Sequence, residues 1–251
     1  MTFLVDDSLH APAPPSIDRI RRIAAAVTVK GGQPSARVLL LGGSGRSGST
    51  LLERLLAGVP GVVALGEVIH LWERGLVADE LCGCGRPFST CAFWTGVGAR
   101  AFGGWDHVEA EDVVAGRRSV VRTRQALTLL GGPTSPKLRL QRDRLARTVR
   151  TLYAAAREQS GAQLLIDSSK HPAYAMLLRR AHVDLRCVLL VRDPRAVAYS
   201  WQRSVRRPEI LERDVDMPRY GLAYSSLTWT LFAALYEALR MLRSAAARGA
   251  L

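Results

Sequence analysis

Residues 37–56 read Arg-Val-Leu-Leu-Leu-Gly-Gly-Ser-Gly-Arg-Ser-Gly-Ser-Thr-Leu-Leu-Glu-Arg-Leu-Leu. The apolar run Val38 to Leu41 does not alternate with polar residues, which is the pattern of a parallel strand buried on both faces. It ends at Gly42 and Gly43. From Gly43 to Thr50 the chain keeps the Gly-x-x-x-x-Gly spacing of a phosphate-binding loop, with Ser49 standing where a lysine is usual. Leu51, Leu52, Leu55 and Leu56 then recur at helical spacing, so a helix opens out of the loop with its first backbone N–H groups facing into it. The glycines of the loop permit close backbone approach, and the helix terminus and Arg46 both add positive charge. An anion is the expected occupant. A nucleoside triphosphatase uses the loop lysine on the terminal phosphates and a Walker B aspartate to help hold magnesium. Loss of that lysine with gain of Arg46 therefore argues against routine ATP hydrolysis.

Working outward, 251 residues with 48% hydrophobic content are enough for one large α/β domain with a buried core. Residues 1–36 hold Pro-Ala-Pro-Pro at 12–15 and Gly-Gly-Gln-Pro at 31–34, and read as an arm and linker around a short helix, Ser16 to Ala26. The domain proper is expected over 37–251. No basic leader followed by an apolar stretch and no run of about 20 apolar residues is present, so a cytoplasmic chain without a membrane span is expected. The net charge of +13 predicts attraction to anionic ligands. Nucleic acid is not the expected partner, because no recognisable binding motif or aromatic platform is interleaved with the charge.

After the loop helix, Val62 to Leu65 reads as a second strand ending at Gly66 and Glu67. Residues 81–160 form a helical, cysteine-containing insertion. Within it, Cys82, Cys84 and Cys91 lack the paired Cys-x-x-Cys spacing of zinc ribbons and have no evident fourth ligand, so no metal is expected. Phe88, Phe93 and Trp94 either contact a substrate or pack in the core. From Arg117 to Arg150 ten basic residues face one acid, Asp143. That stretch divides into a helix near Arg118 to Leu130, a Gly-Gly-Pro-Thr-Ser-Pro break, and a long helix from Lys137 to about Gln159 whose Leu138, Leu145, Val149 and Leu152 share one side. Its arginines read as a solvated face, or as an attractor for an acidic acceptor or donor.

Leu164 to Ile166 gives a third strand, after which Asp167, Ser168, Ser169 and Lys170 are expected in a strand-to-helix loop, with Pro172 in the first turn of the next helix. Arg186 to Val191 gives a fourth strand, followed by Arg192 and by a helix beginning at Pro194, on which Ser200 lies about two turns from Arg192. Strands alternating with helices imply a mostly parallel sheet that binds ligands beyond the carboxyl ends of its strands. Arg46, Glu67, Lys170 and Arg192 each follow such a strand and are expected to converge. Residues 203–221 read as a mobile loop near the site, and Ser225 to Arg248 as a final helix.

Gly-Arg-Ser-Gly-Ser-Thr-Leu-Leu at 45–52 resembles the 5'-phosphosulfate loop of sulfotransferases that use 3'-phosphoadenosine 5'-phosphosulfate (PAPS), in the arginine-bearing form of tyrosylprotein, carbohydrate and many bacterial members. The strand at 186–191 with Arg192 and Ser200 resembles the second half of that family's signature, which holds the 3'-phosphate. The resemblance covers roughly residues 37–240. It implies a P-loop NTPase-like three-layer α/β fold with a central, mostly parallel sheet flanked by helices. It also implies PAPS as donor without a metal, and transfer of a sulfuryl group to a hydroxyl acceptor, less readily an amine. By the same resemblance Gly45, Arg46, Ser47, Gly48, Ser49, Thr50, Arg192 and Ser200 bind the donor. Glu67 takes the acceptor proton, with His70 as the rival base, while Arg46 and Lys170 stabilise the moving charge. Many relatives continue past the final helix into a further strand and an Arg-Tyr-Glu-Asp-Leu segment, whereas this sequence stops at Leu251; a longer natural chain, a truncation and completion by a partner are the alternatives. Two other readings stand beside it. One is a magnesium-dependent kinase using Gly43 to Thr50 with Asp167, and the other is a non-catalytic polyanion-binding module. Neither the acceptor nor the oligomeric state is readable.

Overall fold

A computed structural model describes residues 3–4, 36–130, 132–207, 210 and 215–248. Four parallel strands form the sheet: β2 (Arg37–Gly43), β3 (Val62–Ala64), β4 (Leu164–Lys170) and β5 (Asp184–Leu190). Their spatial order is β5-β2-β4-β3, and the two-residue β1 (Phe3–Leu4) adds a parallel edge beside β5. Thus two residues of the expected arm join the sheet. The helix expected over Ser16 to Ala26 lies outside the described residues.

The apolar run in β2 is buried because the strand is central. Successive side chains leave opposite faces of a strand: Val38 and Leu40 enter the larger core cluster, while Leu39 and Leu41 enter a second one with Leu56, Leu164, Ile166 and Val188. That second face is covered by α1 (Ser49–Ala57), which turns Leu52 and Leu56 inward and leaves Leu51 and Leu55 exposed. The four leucines at helical spacing therefore do not share one buried face.

The larger cluster joins the sheet to α2 (Ala92–Phe102), α3 (Ala110–Val120), α4 (Pro136–Ser160), α5 (Pro172–Arg180) and α7 (Leu222–Arg248). Ser135 caps α4 by accepting from the Leu138 N–H at 3.3 Å, Pro136 occupies its first turn, and Gly161 ends it in a left-handed conformation. Leu145, Val149 and Leu152 are buried while Arg139, Arg144, Arg147 and Arg150 face solvent, as the spacing predicts. Residues 81–160 share this core with the sheet, so the insertion is not a separate body.

Two expectations need correction. The helix expected near Arg118 to Leu130 is broken: α3 ends at Val120, and only the turns Thr123–Gln125 and Ala126–Leu129 follow. Ser168 to Lys170 belong to β4, and the two serines are buried. No helix among the described residues is long and apolar enough to cross a membrane.

Candidate functional site

The site lies where β2 ends between its two neighbours. Gly42 pairs in register with Lys170 of β4 and with Leu189 of β5, so the loop after β2 starts level with both carboxyl ends. Ligands in parallel α/β sheets gather at such ends.

The loop is shaped by backbone conformations that few residues accept. Gly43 has φ 134°, with the Leu190 carbonyl oxygen where a side chain would stand. Gly48 adopts φ 95° as the residue before α1, and the helix has no side-chain cap. A side chain at Gly48 would meet nothing within 4 Å, so its left-handed φ, and not crowding, is what favours glycine there. Ser49 is buried and Thr50 exposed; Gly45, Arg46 and Ser47 are partly covered.

Arg46 departs from ordinary backbone geometry with φ 67°, a conformation that costs a non-glycine residue about 1–2 kcal/mol. Its guanidinium carbon lies 4.8 Å from the ring centre of Trp201 on α6 (Pro194–Gln202), an attractive cation–π contact. Nε and Nη2 are shielded from solvent and have no hydrogen-bond partner among the described residues. Burial pulls the group below its ordinary pKa, yet arginine keeps its charge in proteins. Leaving donors of a cation unsatisfied away from water is costly, and no described residue relieves that cost.

Glu67 and Lys170 meet as an ion pair, Lys170 Nζ donating to Glu67 Oε1 and, at 2.8 Å, to the Ser168 carbonyl oxygen. Lys170 also has a left-handed backbone, φ 61°. Arg74 lies on the wide-turn helix Leu71–Val77 and reaches Glu67 Oε2 at 3.3 Å; His70 Nε2 stands 3.8 Å from the same oxygen. Burial favours the neutral acid, but Lys170, His70 and Arg74 outweigh it and hold the Glu67 carboxyl below its usual range. His70 is pushed down to about 4 by burial, then by Arg74, and is neutral at pH 7.

Arg192 Nη1 donates to the Arg46 carbonyl oxygen at 2.9 Å, and Trp229 Nε1 donates to the Arg192 carbonyl at 3.0 Å. The arginine after β5 therefore supports the loop from the side opposite Lys170. Ser200 lies half-buried on α6, which Arg192 precedes by two positions. Asp193 does not pair with Arg192. It caps α6 through the Arg195 N–H at 2.8 Å and binds the Arg195 guanidinium at 2.7 Å, which gives that arginine a structural partner. Beside them a cleft of about 430 Å³ opens between α6 and α7, bordered by Pro194, Tyr199, Gln202, Leu222 and Ser226.

Phe88 and Trp94 are core residues, stacked at 5.6 Å in a cluster with Trp105, and do not face a substrate. Asp167 is fully buried. It accepts from Tyr153 Oη, from Ser169 Oγ and, at 2.8 Å, from the Ser169 N–H. Burial pushes its carboxyl up to about 6.

Three contributors escaped the sequence. Glu53 on α1 accepts from the Gly66 N–H at 2.8 Å and from Ser168 Oγ at 2.7 Å. Tyr236 on α7 donates to the Lys170 carbonyl at 2.9 Å and covers Gly42. Trp201 lies under Arg46. Only Glu53 carried a local signal, as an acid on the helix leaving the loop, and its neighbours Leu52 and Arg54 do not mark it as buried.

Comparison with protein-family models, with curated proteins and with solved structures gave no match for this chain.

Proposed function

We propose that this chain is a sulfotransferase with a P-loop-like donor site, moving a sulfuryl group from PAPS to a hydroxyl acceptor. The observation that carries the reading is Arg46, a shielded cation with two unused donors, held in a costly backbone conformation within a glycine loop at a helix N-terminus. Arg192 anchors that loop from the other side.

In this reading the acceptor oxygen attacks sulfur in line with the bond to the 5'-phosphate oxygen. A sulfur–oxygen bond forms to the acceptor, and the old one breaks with its electron pair going to the departing 3'-phosphoadenosine 5'-phosphate. Glu67, ionised at neutral pH, receives the acceptor proton. Lys170 then loses a carboxylate partner and faces the transferring group, while Arg46 and the loop amides stabilise charge on the sulfuryl and the leaving phosphate. Ser200 and the Arg192 guanidinium are assigned the 3'-phosphate, the latter turning from the Arg46 carbonyl. No metal is required by this chemistry, because fixed cations surround the site.

The magnesium-dependent kinase has less support. Asp167 would be its metal carboxylate, but Tyr153 and Ser169 occupy both of its oxygens in a fully buried setting.

The test is calorimetric titration with 3'-phosphoadenosine 5'-phosphate beside ATP with magnesium, for the wild type and Arg192→Ala. Metal-independent binding of the former that Arg192→Ala abolishes is the expected result. Preference for magnesium ATP overturns the reading.

A further inference from the structure

The segment Leu81 to Cys91 takes no part in the proposed transfer, yet it is built with care. Its chain closes as a tight knuckle: the Cys82 N–H donates to the Arg86 carbonyl at 2.8 Å, and the Gly85 N–H donates to the Cys82 carbonyl at 2.8 Å. Gly85 takes φ 82°, a left-handed turn position that suits glycine. Leu81 and Pro87 then pair across the base of the loop as an antiparallel bridge. The single turn Phe88–Thr90 returns the chain so that Cys91 comes back beneath the knuckle.

The outcome is a three-sulfur cluster. Cys91 Sγ lies 3.5 Å from Cys82 Sγ and 3.6 Å from Cys84 Sγ, and all three sulfurs fall within 4.8 Å of one another. A tetrahedral zinc ion with zinc–sulfur bonds of about 2.3 Å holds its sulfurs roughly 3.8 Å apart, close to the spacing observed. A disulfide needs two sulfurs at about 2.0 Å and leaves the third out. Cys91 stands almost equally far from both partners, so no pair is selected.

We propose that Cys82, Cys84 and Cys91 form a binding site for one thiophilic divalent cation of the zinc class, with solvent as fourth ligand on the exposed Cys84 side. Its role is structural. Phe88, inside the loop, packs so closely on Gly75 of the Leu71–Val77 helix that a side-chain carbon at Gly75 would lie 2.7 Å from the ring. That helix carries Arg74, the partner of Glu67. The ion therefore clamps the loop that backs the Glu67 surroundings. It stands apart from the sulfuryl chemistry, and the assignment does not depend on the donor being PAPS.

The test uses the full chain, purified without chelator, assayed for metal by elemental mass spectrometry and then stripped by chelator with a phosphine reductant present. Cobalt(II) titration of the stripped chain is expected to saturate at one ion per chain, with thiolate-to-cobalt charge-transfer absorption and tetrahedral visible bands that zinc abolishes. Cys84 is exposed, so Cys84→Ser keeps the fold. It is expected to weaken cobalt binding by more than the roughly 10- to 100-fold that loss of an outer partner costs. Thiol titration adds a second readout: zinc protects three thiols, while buried Cys187 stays unreactive until the chain unfolds. Absence of the charge-transfer band, unchanged cobalt binding in Cys84→Ser, or two thiols regained only on reduction, meaning a disulfide, each overturns the proposal.

Discussion

Glu53 and Ser168 meet in a buried hydrogen bond of 2.7 Å, and the other oxygen of Glu53 accepts from the Gly66 N–H at 2.8 Å. One carboxylate thus ties the helix leaving the glycine loop to the segments bearing Glu67 and Lys170. Burial raises the Glu53 pKa, against the opposing effect of its two donors and Lys170. Glu53→Ala strands a half-buried amide and a buried hydroxyl, the latter worth about 1–3 kcal/mol when unsatisfied and the former less. The expected outcome is a loss of about 2–4 kcal/mol in denaturant unfolding together with a lower turnover rate. Full stability in this variant would deny Glu53 its tying role.

Removing the cation in the loop acts on the ligand and not on the fold. Arg46→Ala should weaken 3'-phosphoadenosine 5'-phosphate binding and lower sulfuryl transfer by about 10²–10³-fold, the usual cost of losing one charge-stabilising donor. Gly45→Ala reaches the same group indirectly, because its new carbon collides with the Trp201 ring beneath Arg46. Tryptophan fluorescence that shifts in Gly45→Ala, with weaker nucleotide binding, is the expected signature.

Glu67→Gln keeps the shape of the side chain and removes its basicity. Turnover is expected to fall by about 10²–10⁴-fold with donor affinity little changed. Stability should also hold, since a partly exposed ion pair contributes only about 0–1 kcal/mol. Retention of normal turnover would move the proton-accepting role elsewhere, with His70 the adjacent alternative.

Acid sensitivity separates two buried groups of opposite sign. His171 caps α5 by accepting from the Ala173 N–H at 3.2 Å, and burial pushes it down to about 4. The folded chain therefore binds fewer protons than the unfolded chain between about pH 6.5 and 4, and this contribution to stability is lost as pH falls through that window. Asp167, raised to about 6, behaves in reverse, because its contribution is present below about pH 4 and is lost as pH rises to 6. His171→Asn keeps a capping acceptor without the titration, so its unfolding midpoint should decline less than that of the wild type between pH 6.5 and 4. Asp167→Asn should flatten the opposite slope. Parallel pH profiles for wild type and both variants would contradict these assignments.

The loop strand and its helix were legible because both signals are local: an unbroken apolar run, then glycines at a fixed spacing. The bounds of α4 were legible for the same reason, within a residue at each end, from the Gly-Gly-Pro-Thr-Ser-Pro break and the helical spacing of Leu138, Leu145, Val149 and Leu152. On sequence alone, Pro172 in the first turn of the next helix places Ser168 to Lys170 in a loop, and lysine is depleted from strands on average. Here tertiary partners override that preference: Ser168 bonds to Glu53, and Ser169 accepts from the Ile69 N–H at 3.0 Å. The convergence of Cys82, Cys84 and Cys91 was hidden by a spacing that matches no common metal motif; a left-handed Gly85 and the return turn after Pro87 supply what linear spacing omits. Trp201 and Tyr236 sit far along the chain from the residues they touch, and only the completed topology brings them there.

Tyr236 closes over Gly42 and bonds to the carbonyl of Lys170. Synthesis runs from the amino end, so all four central strands have been made before this tyrosine exists. The cover over Gly42 is therefore supplied by a helix that follows every strand in sequence, so the sheet and the lid over its central loop are separable parts of the chain.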